Sequence, residues 1–457
     1  MFIPKVEKLI GIEVYATNSP GIGGVIRHFA EDFIVEETLV NGSRAGLQPR
    51  ESQVLGSPTI REPYLLCVLI KHNKDTFIAL KAIAEQLGIS TDNIHIAGIK
   101  DTKAITAQHI TLKRVSIEDV RKVFVKDVEV YPVGFFHSPI SSYYLLGNNF
   151  QVVIRNIRHS KSTIKERIAK IVKNIEDIGG VPNFFGHQRF GTTRPITHLV
   201  GKALIQGDFK KAAMLFLAKS TPHEHPESRQ VRKQLWKTRD FKQALKDFPK
   251  KLYYERLMLK HLAKRDNDFI GAFRRLPKKL LILFPQAYQS YLFNMFLSKR
   301  IGLGLPLNKA EVGDYIVKLD PFGLPTTQTY IVASHETLSH INAEVETGKM
   351  RVAIPLLGFK QKLSQGIQGE IEKQILDEEG ILQGNFKVKG MPELSLKGGV
   401  RTTLTPLNEF SLNEILRDDT NPSKYKVQVS FMLQRGSYAT IFLREIMKTR
   451  NPIKSGF

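Results

Sequence analysis

Apolar and polar residues alternate along this chain in recognisable blocks. Tyr64–Lys71 (YLLCVLIK) is an apolar run and predicts a buried strand. Asp75–Leu87 follows with Phe77, Leu80, Ile83, Ala84 and Leu87 at helical spacing, and Gly88 marks its stop. Asn93–Lys100 alternates and predicts a second strand, Gln108–Val115 a third and Phe150–Ile157 a fourth. An amphipathic helix comes next, with Thr163 and Glu166 placed as a capping box. Ile164, Ile168, Ile171, Val172 and Ile175 form its stripe, and Gly179-Gly180 ends it. Residues 200–300 read mostly as helix. Beyond 310 the pattern turns to strands and turns punctuated by Pro and Gly. A last strand over Lys426–Leu433 and a helix from about Ser437 to Lys448 close the chain. No repeat of 20–50 residues and no low-complexity segment is evident. The mixture predicts an α+β fold rather than a regular βαβ repeat.

Composition narrows the class. The chain has 457 residues, 42% hydrophobic and 24% charged, an ordinary globular balance. A single cysteine, Cys67, excludes an intramolecular disulfide framework and a cysteine-based zinc cluster. It also points to a reducing compartment. No apolar run approaches the length of a membrane span. The opening Met1-Phe2-Ile3-Pro4-Lys5 lacks the order of a signal peptide, and a cytoplasmic location is expected.

Charge adds a partner class. The formal net charge is +23, which makes a polyanion the leading partner. The surplus is concentrated: residues 201–280 carry 21 Lys+Arg against 8 Asp+Glu. Its clusters are Arg229/Arg232/Lys233/Lys237/Arg239, Lys250/Lys251 and Arg274/Arg275/Lys278/Lys279, interleaved with Trp236, Phe241, Phe248, Tyr253, Tyr254 and Phe269. Basic groups neutralise phosphates and aromatic rings stack on bases. The plain alternative is a solvated helical face whose aromatics turn inward.

Several chemistries lack their parts. There is no Walker-type phosphate loop and no G-x-S-x-G elbow. Gly302-Leu303-Gly304 reads as a turn, which weakens a methyltransferase or dehydrogenase reading. His223-Glu224-His225 has metal-ligand residue types, but no further ligand cluster supports it and no metal is expected. No cofactor is expected.

The stretch Ala97-Gly98-Ile99-Lys100-Asp101-Thr102-Lys103 places an acid in a loop between two predicted strands. Lysines on either side favour the carboxylate form, and a carboxylate on a rigid strand end can serve as nucleophile or base. Taken alone, Asp101 could equally be a turn residue bonding its own backbone.

Residues 97–108 also resemble the K-D-x-x-A-x-T-x-Q signature of the TruD family of tRNA pseudouridine synthases, through Lys100, Asp101, Ala104, Thr106 and Gln108. Asn183-Phe184-Phe185-Gly186-His187-Gln188-Arg189-Phe190-Gly191 is similar to the family's N-(Y/F)-F-G-x-Q-R-F-G block, and Gly147-Asn148-Asn149-Phe150 to its G-N-x-F segment. Weaker matches are Glu31–Glu37, Tyr288–Asn294 and Gly436–Thr440 with Leu443-Arg444-Glu445. The long 200–280 region resembles the archaeal and eukaryotic branch, whose middle domain is larger.

The resemblance implies a catalytic α+β domain with a central mixed sheet, interrupted by a large α/β insertion. Residues 1–180 and 398–457 would form the catalytic domain and 181–397 the insertion. It implies that Asp101 starts the isomerisation of uridine to pseudouridine, most simply at position 13 of the tRNA D-arm. Position 35, or RNA binding without catalysis, is the alternative. The uridine must leave its stack to be reached. Whether the aspartate attacks C1′, attacks C6 or removes a ribose proton is left open. Phe150 would stack on the flipped base and Asn148 would hydrogen-bond near Asp101. Without the family match, Phe150 reads as core. Arg27 stands where the family usually has Lys, keeping the cation but changing a point charge to a fork. Lys100 and Arg189 complete the expected substrate contacts, and Arg232, Lys233 and Lys237 are the expected backbone contacts. Partners follow: tRNA, no membrane, no nucleotide cofactor, and a monomer.

Overall fold

The computed structural model describes residues 1–48 and 63–457. Among these, fourteen strands form one eight-stranded sheet, one four-stranded sheet and one two-stranded pair. They are β1 (Phe33–Leu39), β2 (Tyr64–His72), β3 (Ile94–Ile96), β4 (Ile105–Lys113), β5 (Val128–Phe136), β6 (Leu145–Ile157) and β7 (Val181–Pro182). After them come β8 (Tyr315–Leu319), β9 (Pro325–Val332), β10 (Met350–Leu356), β11 (Gly399–Thr402), β12 (Leu404–Thr405), β13 (Asn408–Asp418) and β14 (Asn421–Gln434). The large sheet runs β13-β14-β6-β1-β4-β2-β5, with β3 beside β4. It is mixed: β1 and β4 are parallel and the other pairs antiparallel.

The apolar run of β2 has a simple cause. Leu65, Cys67 and Leu69 face the helix Thr76–Leu87, whereas Val68 and Ile70 pack on Ala45, Ile105 and Ala107 on the opposite side. A strand covered on both faces has no polar phase. The helix starts at Asp75, whose carboxylate accepts from the Phe77 and Ile78 amides, and stops at left-handed Gly88. Phe77 does not join its buried face. It is 56% exposed, and Thr76, Ala79, Leu80, Ile83 and Ala84 do the packing.

The stripe Ile164/Ile168/Ile171/Val172/Ile175 is buried as its period requires. Its cap lies earlier than expected. Ser160, extended at ψ 159°, accepts from the Thr163 amide, so Thr163 sits inside the first turn and cannot cap it. The strand expected over Asn93–Lys100 is only Ile94–Ile96, because the chain then leaves the sheet to form the Asp101 loop.

Residues between β7 and β12 stand apart from the large sheet. They hold the helices from Thr197 to Gly302 and the four-stranded sheet β11-β10-β8-β9. β7 pairs with β12 where the chain leaves and returns. Because β11 pairs with β10, this second lobe keeps the chain until Thr402, beyond the expected boundary at 397. One apolar core joins the lobes. It runs from Val152 and Ile168 through Phe184 and Phe190 to Tyr288, Phe293 and Leu376. No described helix is long and apolar enough to cross a membrane.

Candidate active site

The loop before β4 is pinned along its length. The Gln108 side chain donates to the Gly98 carbonyl at 3.1 Å, the Thr76 hydroxyl to the Lys100 carbonyl at 3.3 Å, and the Asn73 amide to the Ala104 carbonyl at 3.0 Å. Lys71, buried at the end of β2, donates through Nζ to the carbonyl of Asp101. Burial pulls the Lys71 ammonium down to about 8, with the Asp101 charge opposing the shift.

This backbone projects the Asp101 carboxylate into a cavity of about 270 Å³ that includes Arg27, Phe33, Asn148, Phe150, Gln188 and Tyr438 in its wall. Larger cavities of 600 and 810 Å³ lie between the lobes and on the second sheet, but convergent charge, ring faces and a carboxylate meet only in the smaller of these spaces.

Arg27 Nη2 donates to Asp101 Oδ1 at 2.9 Å. Its guanidinium is fixed by two further contacts: Nη1 donates to the Gly456 carbonyl at 3.1 Å, and the plane lies 4.1 Å from the Phe33 ring centroid. Burial draws the Arg27 guanidinium below its ordinary range, against the pull of Asp101. Gly456 admits this contact because a Cβ there would meet the Ile26 carbonyl at 2.1 Å. The Arg27 backbone itself is left-handed, at φ 57°.

Lys100 does not pair with its neighbour Asp101. Nζ reaches Glu37 Oε2 at 2.6 Å and Asn148 Oδ1 at 2.7 Å, with both charged side chains buried. Burial alone would raise Glu37, yet Lys100 and His109 hold its carboxylate below the usual range. Asn148 is thereby locked one strand away from Asp101, since Glu37 and Asn148 face each other across β1 and β6.

Phe150 is packed as a core residue and also reaches the cavity. It is 7% exposed, lies 6.1 Å from Phe33 edge-on and stacks on Phe431 at 5.3 Å. It also lines the cavity beside Asp101.

Two expected contacts are corrected. Arg189 does not line the cavity. Its guanidinium donates to Ser290 Oγ and Gln286 Oε1 on the long helix Lys278–Gly302, each at 3.2 Å. Arg232 is 2% exposed. It bonds Glu224 at 2.8 Å, Glu255 at 2.6 Å and the carbonyls of Phe216 and Leu217. On a helix of period 3.6, Arg232 and Leu235 fall on the inward face, whereas Lys233 and Lys237 stay exposed. Glu224 of the His-Glu-His stretch is therefore an arginine partner. Among the described residues no His/Cys/Asp/Glu group could hold a metal ion.

Glu37, Lys71 and Tyr438 are site residues that the pattern reading did not single out, whereas Gln188, which with Arg189 offered a possible cleft contact in the Asn183–Gly191 block, does line the cavity. For Glu37 a signal existed. β1 alternates buried and half-buried positions, and Glu37 shares the buried phase with Phe33, Val35 and Leu39. A charge in that phase demands a buried partner.

Likeness to known proteins supplies the family. The family model for tRNA pseudouridine synthase D (TruD) matches residues 9–446. A "Probable tRNA pseudouridine synthase D" of Methanosarcina barkeri is 39% identical, covering 98% of each chain. Another, from Thermococcus sibiricus, is 37% identical over 95% of this chain and 97% of its own. A solved TruD structure from Methanosarcina mazei superposes with a TM-score of 0.84 at 37% identity, covering 99% of this chain and all of that one. With a pinned acid facing a ring-lined cavity and a family match along nearly its whole length, the chain belongs to the TruD family and is an RNA pseudouridine synthase.

Proposed function

We propose that this enzyme isomerises one uridine of tRNA, at position 13 of the D-arm, with Asp101 as the essential carboxylate. The reaction balances by itself. The bond from N1 to C1′ breaks, one from C5 to C1′ forms, and the proton that leaves C5 is matched by one gained at N1. The observation that carries the reading is the Asp101 carboxylate, held by Arg27 in a cavity walled by Phe33 and Phe150. Rings of this kind can receive a base taken out of its stack. Arg27 offers a fixed cation to the same carboxylate, and Asn148 presents an amide already oriented by Lys100. Lys233 and Lys237, exposed on the helix Pro226–Thr238, supply backbone contacts to the RNA.

The test maps pseudouridine at single-nucleotide resolution in tRNA transcripts incubated with the purified protein. Conversion at position 13 is expected. Conversion at position 35 of a tyrosine tRNA alone would replace the assigned site, and no conversion in any transcript would refute the catalytic reading.

A further inference from the structure

Asp101 takes its hydrogen bonds unevenly. Oδ1 accepts from Arg27 Nη2 at 2.9 Å and from Gln188 Nε2 at 2.6 Å. Among the described residues Oδ2 accepts from none, and the side chain keeps 25% exposure on the cavity side. The two donors come from different lobes. Arg27 belongs to the segment leading into β1, whereas Gln188 lies in the short turn His187–Arg189, six residues past β7.

That turn is rigid and belongs to the second lobe. The Phe185 amide donates to Asn294 Oδ1 at 2.8 Å, and Asn294 Nδ2 returns a bond to the Phe185 carbonyl at 3.0 Å. Arg189 ties the other side of the turn to Ser290 and Gln286 on the same helix. Gly186 presses against Thr440 and Tyr438, where a Cβ would stand 2.8 Å from the Thr440 hydroxyl oxygen. Phe184 and Phe190 are buried on either side. Exposed Gln188 is thus the polar tip of a fixed turn, and its length sets where it meets the carboxylate.

We propose that Gln188 is a positioning residue: it clamps Oδ1 of Asp101 from the second lobe and so presents Oδ2 to the flipped uridine. This rests on Asp101 being the essential carboxylate. A carboxylate bound through one oxygen on two sides cannot rotate without breaking a charge-assisted bond. Its free oxygen is therefore aimed before substrate arrives, the condition under which orientation contributes to rate. The clamp also gives the lobe carrying Lys233 and Lys237 a direct hold on the reacting group.

The test compares wild type with Q188A and Q188E in single-turnover and steady-state assays on one tRNA transcript. Q188A should lose about tenfold to a hundredfold in kcat with KM within about twofold, because binding groups are untouched. Its Tm should stay within about 2 °C of wild type, since the side chain is exposed. Q188E places a second carboxylate against Asp101, and two such groups compete for one proton. The acid limb of its pH–rate profile should move to higher pH. The 13Cγ titration midpoint of Asp101, which needs no turnover, should move the same way. If wild type is active and Q188A keeps or exceeds its kcat, the clamp is refuted. An unmoved acid limb and titration midpoint in Q188E refute it as well. Inactive wild type would refute the functional reading instead, and the titration would still decide whether Gln188 holds Asp101.

Discussion

Arg27 and Arg232 are both half of an arginine–carboxylate pair, and their settings could hardly differ more. Arg27 meets one acid, Asp101, at the wall of an open cavity, and that acid is a quarter exposed. Arg232 is sealed between Glu224 and Glu255, with two main-chain carbonyls accepting from its Nη1. A pair that keeps an oxygen free in a cavity can meet a ligand. A pair whose guanidinium nitrogens are all bonded in the interior cannot, and it serves the packing of helices. The difference lies in the surroundings and not in residue type, so counting charges along the segment 201–280 could not show that Arg232 is a packing residue. On that helix the exposed cations are on its outer face, Lys233 and Lys237, the residues proposed to meet RNA.

The sharpest break of this comparison is Arg232→Ala. It leaves Glu224 and Glu255 with Arg194 as their remaining cation, at 3.7 and 3.6 Å, and should cost about 3 kcal/mol in chemical denaturation. A loss under about 1 kcal/mol, together with weaker RNA binding, would return Arg232 to the RNA face.

A smaller effect is expected from the double variant Lys233→Gln/Lys237→Gln. Stability should change by under about 1 kcal/mol, as for solvated residues. The slope of log K against log salt should flatten by about 0.7–0.9 for each phosphate that is no longer neutralised. KM should rise more than kcat falls. An unchanged slope would make this face merely solvated, and the contrast with Arg232 would lose its functional half.

How far the residues alone could lead follows from the same physics. Periodicity located β2 and the helices Thr76–Leu87 and Lys161–Asp177, because each packs an entire face on a sheet. That Asp101, Asn148 and Phe150 share one cavity was implied only by the resemblance to the family's motif blocks; the residues alone read Phe150 as core and Asp101 as a turn acid. The partner of Lys100 was not. Two lysines beside Asp101 looked like its cations, but Lys100 turns to Glu37, a residue 63 positions earlier brought close only by the pairing of β1 with β4. The cation that Asp101 does meet, Arg27, is equally remote in sequence. Phe77 misled for another reason. The helix buries Thr76, Ala79, Leu80, Ile83 and Ala84, and the large ring at its N-terminal end falls outside that face. Cross-lobe contacts such as Gln188 to Asp101 leave no periodic trace at all.

The central claim is that the chemistry of this enzyme runs through the Asp101 carboxylate while the second lobe grips RNA. Single-turnover pseudouridine formation and equilibrium tRNA binding, measured together for wild type and Asp101→Asn, test it most directly. The substitution keeps size and removes only the charge and the acidity of the group. The account predicts a loss of at least about a thousandfold in rate with Kd within about threefold of wild type. A variant that still isomerises uridine at a rate near wild type would contradict it.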